Sequence, residues 1–282
     1  KKIYWSEKIK KKNINSGMVV IVEADFSPNS VSLMLALIEH GCIFVPLTKS
    51  VKDNRENFIK IAQGEFLFEI DNNDNVKILK LNYISENKIY KKLKESGHPG
   101  LVLFSSGSTG ESKASVHDIL GIFEKFKIKR HKLRAVSFLL YDHIGGFNTL
   151  LYTLSNGGLI VTLKERSPDE VFRLINKYKV ELLPTSPTFV NLILISEAFK
   201  RYDISTLKTV TYGTEPMPEH TLTRFNEMFP KIKLLQTYGL SEVGILRSKS
   251  KSSSSLWVKV GGEGFETRVV DNMLEIKAKS AM

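Results

Sequence analysis

Short apolar runs alternate along this chain with helix-length segments that open on Ser-Pro, and that alternation narrows the fold more than any other feature. Residues 18–22 (MVVIV) read as a buried strand. Ser27 then offers an N-cap hydroxyl and Pro28 the fixed φ of a first helical residue, so residues 29–40 continue as a helix that stops at Gly41. Residues 42–47 (CIFVPL) give the next strand, completing the strand–helix–strand unit of a parallel sheet. The pattern recurs with strands at 101–104, 134–140, 159–163, 180–183, 207–212 and 232–236. Ser167, Pro168, Asp169 and Glu170 form a capping box that opens a helix to about Lys179, and further helices are expected at 187–199 and 218–228. The expected fold is α/β, with doubly wound, mostly parallel sheets carrying helices on both faces. Residues 248–255 (SKSKSSSS) read as a polar mobile loop. Beyond it the sequence alternates and contains paired glycines, with a turn at Asp271-Asn272, so 256–282 is expected to begin a smaller antiparallel β subdomain. Residues 1–247 would then be the core, in two subdomains dividing somewhere within 100–190.

Composition removes several classes. The 282 residues suffice for two domains, and 42% hydrophobic with 25% charged residues excludes disordered and fibrous chains. No run of apolar residues is long enough for a transmembrane helix, and the basic N-terminus lacks the apolar stretch of a signal peptide. One cysteine, Cys42, cannot form an internal disulfide, which fits a reducing cytoplasm; its apolar strand makes it a buried, inert thiol. The net charge of +11 raises the question of nucleic acid, but the lysines are scattered without a stripe or aromatic interleaving, so they read as solvated faces. The histidines at 40, 98, 117, 131 and 220 show no metal-ligand spacing. Because the chain opens on Lys1 rather than Met, a fragment is expected.

The segment Ser105-Ser106-Gly107-Ser108-Thr109-Gly110-Glu111-Ser112-Lys113 follows a strand directly. Its glycines let backbone N–H groups point inward, its hydroxyls add donors and Lys113 supplies a point charge, which together suit a polyphosphate; its spacing is not that of a Walker loop. Taken alone, the same residues also describe a Ser/Gly surface loop. The segment resembles the phosphate-loop signature of the adenylate-forming superfamily, which includes acyl- and aryl-CoA synthetases, luciferases and peptide-synthetase adenylation domains. Ser112 stands where that signature has proline and Ala114 where it has glycine. Three further segments resemble the same superfamily in the same order. Tyr141-Asp142-His143-Ile144-Gly145-Gly146 resembles the segment beside the acyl substrate. Tyr212-Gly213-Thr214-Glu215-Pro216 resembles the turn along which adenine lies. Gln236-Thr237-Tyr238-Gly239-Leu240-Ser241-Glu242 resembles the segment whose tyrosine stacks on adenine, whose hydroxyl reaches the α-phosphate and whose glutamate holds Mg²⁺.

The resemblance covers about residues 20–282 and implies that a carboxylic acid attacks ATP to give an acyl-adenylate and pyrophosphate. A thiol of CoA, or of phosphopantetheine on an acyl carrier protein, would then take the acyl group. It implies phosphate binding by Ser105, Ser106, Gly107, Ser108, Thr109, Gly110 and Lys113, and adenine binding by Gly213, Thr214, Glu215, Pro216, Gln236, Thr237, Tyr238 and Gly239. It implies a Mg²⁺ ligand in Glu242, with Ser241 and His143 among the catalytic groups. An acyl pocket would be lined by Asp142, His143, Gly145, Gly146, Phe147, Thr185, Ser186 and Thr188. Two adjacent glycines suit an aryl or medium acyl chain. Asp142 lies within one residue of the aspartate that amino-acid-activating relatives use for an ammonium group, so that alternative stays open beside a non-amino acid. His143 also reads as a helix-start histidine and Tyr238-Gly239 as a plain turn. The superfamily's ribose-binding aspartate and C-terminal catalytic lysine find no counterpart before Met282, so an N-terminal core without the small C-terminal domain is expected, and a catalytically silent nucleotide-binding module is the rival reading.

Overall fold

The computed structural model describes residues 1–106, 112–262, 264–279 and 281. The chain divides into two compact units, the first being Lys1–Glu124, Leu140–His143 and Lys279–Met282, and the second Lys125–Leu139 and Ile144–Ala278. Residues 248–278 go with the second unit.

In the first unit, α1 (Lys2–Lys11) precedes β1 (Val19–Glu23), α2 (Pro28–Glu39), β2 (Ile43–Leu47), α3 (Arg55–Ala62), β3 (Phe66–Ile70), β4 (Val76–Lys80), α4 (Lys88–Ser96), β5 (Gly100–Ser106), β6 (Ser112–Asp118) and α5 (Ile119–Phe123). The strands form one sheet in the order β4-β3-β1-β2-β5-β6. Its centre is parallel, and antiparallel β4 and β6 close the two edges. Strand β2 is buried along its whole length, which is why its sequence is a continuous apolar run rather than an alternating one. Helix α2 starts as its sequence requires: Ser27 Oγ accepts from the backbone N–H groups of Asn29 and Ser30, while Ser30 Oγ accepts from Ser27 N. Val19, Ile21, Ile43, Val45, Leu67 and Val102 lie at the heart of this core. Cys42 is buried, and burial, helped by the negative charge of Glu65, pushes its thiol up to about 12, so it is inert as expected.

The second unit contains β7 (Arg134–Val136), α6 (Ile144–Ser155), β8 (Leu159–Val161), α7 (Pro168–Tyr178), β9 (Leu182–Thr185), α8 (Pro187–Ser196), β10 (Thr209–Tyr212), α9 (Glu219–Met228) and β11 (Lys233–Gln236). It continues through β12 (Gly239–Leu240), β13 (Gly244–Ile245), β14 (Arg247–Ser250), β15 (Val258–Gly261), β16 (Phe265–Val270) and β17 (Met273–Ala278). Five strands make a parallel sheet in the order β11-β10-β9-β7-β8, and three antiparallel pairs follow. The expected capping box on α7 forms only in half: Ser167 Oγ accepts from Glu170 N, but the Glu170 carboxylate is drawn to Arg173, the stronger charge-assisted partner.

The serine-rich segment departs from the expected mobile loop. It begins as β14, paired with β15, and its hydroxyls lie along the free edge of the parallel sheet. Ser253, Ser250 and Ser248 accept from the backbone N–H groups of Leu234, Gln236 and Tyr238, at 3.2, 2.9 and 3.0 Å. Alternate N–H groups of an edge strand point outward and need acceptors, and these three serine hydroxyls provide them. The turn at Asp271-Asn272 is as expected: both residues have positive φ (49° and 60°) and join β16 to β17.

Candidate active site

The carboxyl ends of β9, β10 and β11 are in register, so Thr185, Tyr212 and Gln236 stand side by side. In an open α/β sheet this edge is where ligands gather. Tyr212 is buried, and its hydroxyl donates to Gln236 Oε1 at 3.4 Å. Its carbonyl accepts twice from Thr237, from N at 2.7 Å and from Oγ1 at 3.0 Å. That double bond draws the chain after β11 onto the chain after β10 and leaves no space above Gly213. A Cβ there would lie 2.7 Å from Thr237 Oγ1 and 2.9 Å from Thr237 O, so glycine is required. Thr214, the next residue, holds φ at +74°, an unfavourable value for a β-branched side chain. Glu215 turns back to α8, where Oε1 accepts from Thr188 N at 2.8 Å, and Ser186 Oγ accepts from Phe189 N at 3.2 Å. Burial raises the Glu215 carboxyl, but hydrogen bonds from Thr188 and Ser186 outweigh it and hold the group below its ordinary range. Its charge suits the positive end of α8. Pro216 follows exposed at the surface. Thr185 Oγ1 is buried at this edge with no hydrogen-bond partner among the described residues.

Ser241 and Glu242 occupy the turn between β12 and β13, with Glu242 exposed. Gly239 makes that hairpin possible, because a Cβ would meet Gly244 O at 2.8 Å. Tyr238, half-buried, enters the hairpin and accepts from Leu246 N through its carbonyl. Helix α6, whose first turn carries buried Gly145, Gly146 and Phe147, packs against both strands of the hairpin. Lys125 was not singled out by sequence reasoning, being one lysine in a basic run. Its ammonium donates to Ile245 O at 3.1 Å, and burial pulls it down to about 8. No sequence signal distinguishes it from its solvated neighbours.

In the first unit, Ser105 on β5 pairs with Lys113 on β6, and Lys113 is exposed. Ser106 pairs with Ser112, so the candidate phosphate loop joins two antiparallel strands. Gly107, Ser108, Thr109 and Gly110 lie outside the described residues. Tyr141 is buried edge-on against Phe26 and Phe44. Beside it, Asp142 Oδ2 accepts from Thr48 N at 3.0 Å and Thr48 Oγ1 at 2.7 Å. Burial raises the Asp142 carboxyl, with the Thr48 bonds pulling the other way, and burial lowers the neighbouring His143. Lys113, Asp142 and His143 thus belong to the first unit, and Thr185, Ser186, Gly213–Glu215 and Gln236–Glu242 to the second.

Among the described residues no group of three or more His, Cys, Asp or Glu is placed to hold a metal ion. A single exposed carboxylate, Glu242, fits Mg²⁺, a hard cation often held by one protein carboxylate together with phosphate oxygens and water.

Comparison with known proteins agrees with this architecture. The chain is 28% identical over 185 residues to 4-coumarate–CoA ligase-like 9 of Arabidopsis thaliana, covering 62% of this chain and 32% of that protein. It therefore spans about a third of the length of the curated relatives it matches. Its fold is that of the Klebsiella oxytoca NpsA N-terminal subdomain, solved with 3-hydroxyanthranilyl-AMSN, at TM-score 0.78 and 15% identity over 99% of this chain and 79% of that one. Escherichia coli MenE with bound OSB-AMS gives 0.72 and 17%, covering 98% and 62%. The profile of the AMP-binding enzymes matches residues 8–273, so the match takes in both sheets and all the strand-end segments described above, and this chain belongs to the AMP-binding enzyme family.

Proposed function

We propose that the chain is the nucleotide- and acid-binding part of a ligase that activates a carboxylic acid with ATP. One carboxylate oxygen bonds to the α-phosphorus, the bond from that phosphorus to the bridging oxygen breaks, and pyrophosphate leaves with the electron pair. Both reactants are anions, so the protein's task is to position them and to neutralise charge. Lys113 and the segment 105–110 hold the β- and γ-phosphates. Adenine lies along Gly213–Pro216, with Tyr238 stacked on it, and Ser241 donates to an α-phosphate oxygen. Mg²⁺, held by Glu242, supplies positive charge on the α-phosphate side. Acyl transfer to CoA, or to phosphopantetheine on a carrier protein, follows, and the site of action is the cytoplasm.

The observation that carries this reading is the carboxyl edge of the second sheet, where Thr185, Tyr212 and Gln236 align and the segment after β10 is held against Thr237 at a position that only glycine fills. A non-amino acid is favoured as substrate. Asp142 Oδ2 is already engaged by two donors from Thr48 and burial disfavours its charged form, which leaves a poor ligand for an ammonium group.

The test is ATP–pyrophosphate exchange by the full-length protein against a panel of carboxylic acids. Exchange with aryl or medium-chain acids, lost in Glu242→Gln, is the expected result. Lys113→Ala should raise the KM for ATP more than it lowers kcat, because it holds phosphates in ground and transition states alike. Exchange that survives in Glu242→Gln with the same Mg²⁺ dependence removes Glu242 from the site.

A further inference from the structure

Strands β12 and β13 have two residues each, yet the turn between them carries Ser241 and Glu242. Two of the four strand residues are Gly239 and Gly244, which have no side chain to fix the ribbon from within. A two-stranded ribbon on its own is marginally stable at best, so its position is set by what it touches. Helix α6 packs against both strands. Lys125, from the short 3₁₀ turn Glu124–Phe126, provides a second support, and it belongs with the ribbon to the second unit.

The ladder shows which way each carbonyl points. Leu246 N donates to Tyr238 O at 3.0 Å, so Leu246 turns its polar groups toward the chain leading into β12. Ile245, one residue earlier and opposite Gly239, therefore turns its carbonyl away from β12. That outward carbonyl accepts from Lys125 Nζ at 3.1 Å. The ammonium also lies 5.1 Å from the centre of the Phe126 ring, a cation–π contact that helps to hold it in place. No carboxylate pairs with Lys125 among the described residues, and burial pulls its ammonium down to about 8. A lysine here therefore costs stability at neutral pH, a cost relieved only as the pH rises past 8. What the charge gains in return is one charge-assisted bond, stronger than a neutral one, at the root of the Ser241–Glu242 turn.

From this geometry we infer that Lys125 is a positioning residue for acid activation: by holding Ile245 O it sets where the β12–β13 turn places Ser241 and Glu242. It acts through the strand and touches neither reactant. The inference rests on the roles proposed above for Ser241 and Glu242. Those roles are sensitive to position, because displacing a reacting group by about 1 Å costs on the order of a hundredfold in rate. A ribbon of four strand residues, half of them glycine, has little else with which to resist such a displacement.

The test compares Lys125→Met, which keeps the stem and removes the donors, with Lys125→Arg, which restores them, both in the full-length protein. ATP–pyrophosphate exchange is measured with benzoate and octanoate as aryl and medium-chain probes, and amide hydrogen exchange is followed across residues 239–246. In Lys125→Met, kcat should fall at least about tenfold while the KM for ATP changes less than about threefold, the mark of an interaction realised in the transition state. Hydrogen exchange across 239–246 should speed up roughly tenfold, as for one lost charge-assisted bond, and the melting temperature should not fall, because an unpaired charge has been removed. Lys125→Arg should recover most of both losses. An unchanged kcat, a kcat loss that comes with a lower melting temperature, or a loss that Lys125→Arg does not relieve overturns the proposal. Should neither acid support exchange by the wild type, the proposed function loses its support, and hydrogen exchange alone decides the role of Lys125. Acceleration in Lys125→Met that Lys125→Arg reverses upholds it, and an unchanged ribbon overturns it.

Discussion

At the carboxyl end of the first sheet, Glu23 on β1 stands opposite Glu69 on β3, and Arg55 from the start of α3 pairs with both carboxylates. At the corresponding end of the second sheet, the polar groups after β9, β10 and β11 are arranged around a backbone contact that excludes a Cβ, a threonine at φ +74° and a buried hydroxyl without a partner among the described residues. Both ends are polar and both lie where parallel strands stop. Among the described residues, the second end keeps a β-branched residue at positive φ and a buried hydroxyl without a partner, features that persist in a fold when something else requires them. A strand end that has paired its own charges is a structural joint; one that has not is a place to look for a ligand.

The largest effect expected from this contrast is on the second sheet. Gly213→Val should abolish measurable ATP–pyrophosphate exchange in the full-length protein, a loss of at least about a hundredfold, because the new side chain meets the Thr237 hydroxyl and carbonyl and must displace the segment assigned to adenine. Exchange within tenfold of wild type would show that the Gly213–Thr237 contact is a joint like the one at Arg55. For the first sheet the effect is on stability. Arg55→Ala leaves two facing carboxylates without their cation and should cost about 2 kcal/mol in urea unfolding, less than for a fully buried pair because these side chains keep 19–28% of their exposure.

Asp142 sharpens the comparison through pH. Burial, acting against the Thr48 bonds, raises its carboxyl above the ordinary 3.8, so the folded chain holds the proton more tightly than the unfolded one. Stability therefore falls as the pH rises from about 4 through the folded value. Asp142→Asn keeps an oxygen for Thr48 and removes the charge. It should be more stable than wild type at pH 7 by roughly 1 kcal/mol, with the advantage vanishing below about pH 4. A wild type that is the more stable at pH 7 would show that the Thr48 bonds outweigh burial. The smallest effect is at Thr214. Glycine there relieves an unfavourable φ but gives the unfolded chain more freedom, so Thr214→Gly should gain no more than about 1 kcal/mol. A loss of stability would mean that the threonine side chain, not the backbone, holds the turn.

What could be read in advance follows from range. The Ser27 cap, the strand at 43–47 and the turn at Asp271-Asn272 depend on residues within a few positions of each other. The β3–β4 hairpin was not legible, since residues 66–80 mix charge with apolar residues in no clean period. The four segments that pointed to acid activation were legible as residue types in order, while the required absence of a side chain at Gly213 was not, because the atoms that forbid it belong to Thr237.

Local propensity and hydrophobic period, both short-ranged, determined the parallel strands other than β3, the helix starts at Ser27 and Ser167 and the class of fold from the sequence alone. Tertiary structure alone decided which groups meet across long separations. The serine-rich run has no apolar signal and reads as a loop, yet its first residues, 248–250, join strand β14 and its hydroxyls line β11, an edge whose outward N–H groups need acceptors, and that need exists only once the sheet has formed. In the same way Asp142 finds Thr48 94 residues away, and Lys125 finds the carbonyl of Ile245 120 residues away. A hydrogen bond reaches about 3 Å in space and has no fixed reach along the chain, so its partners are set by the fold and not by the spacing.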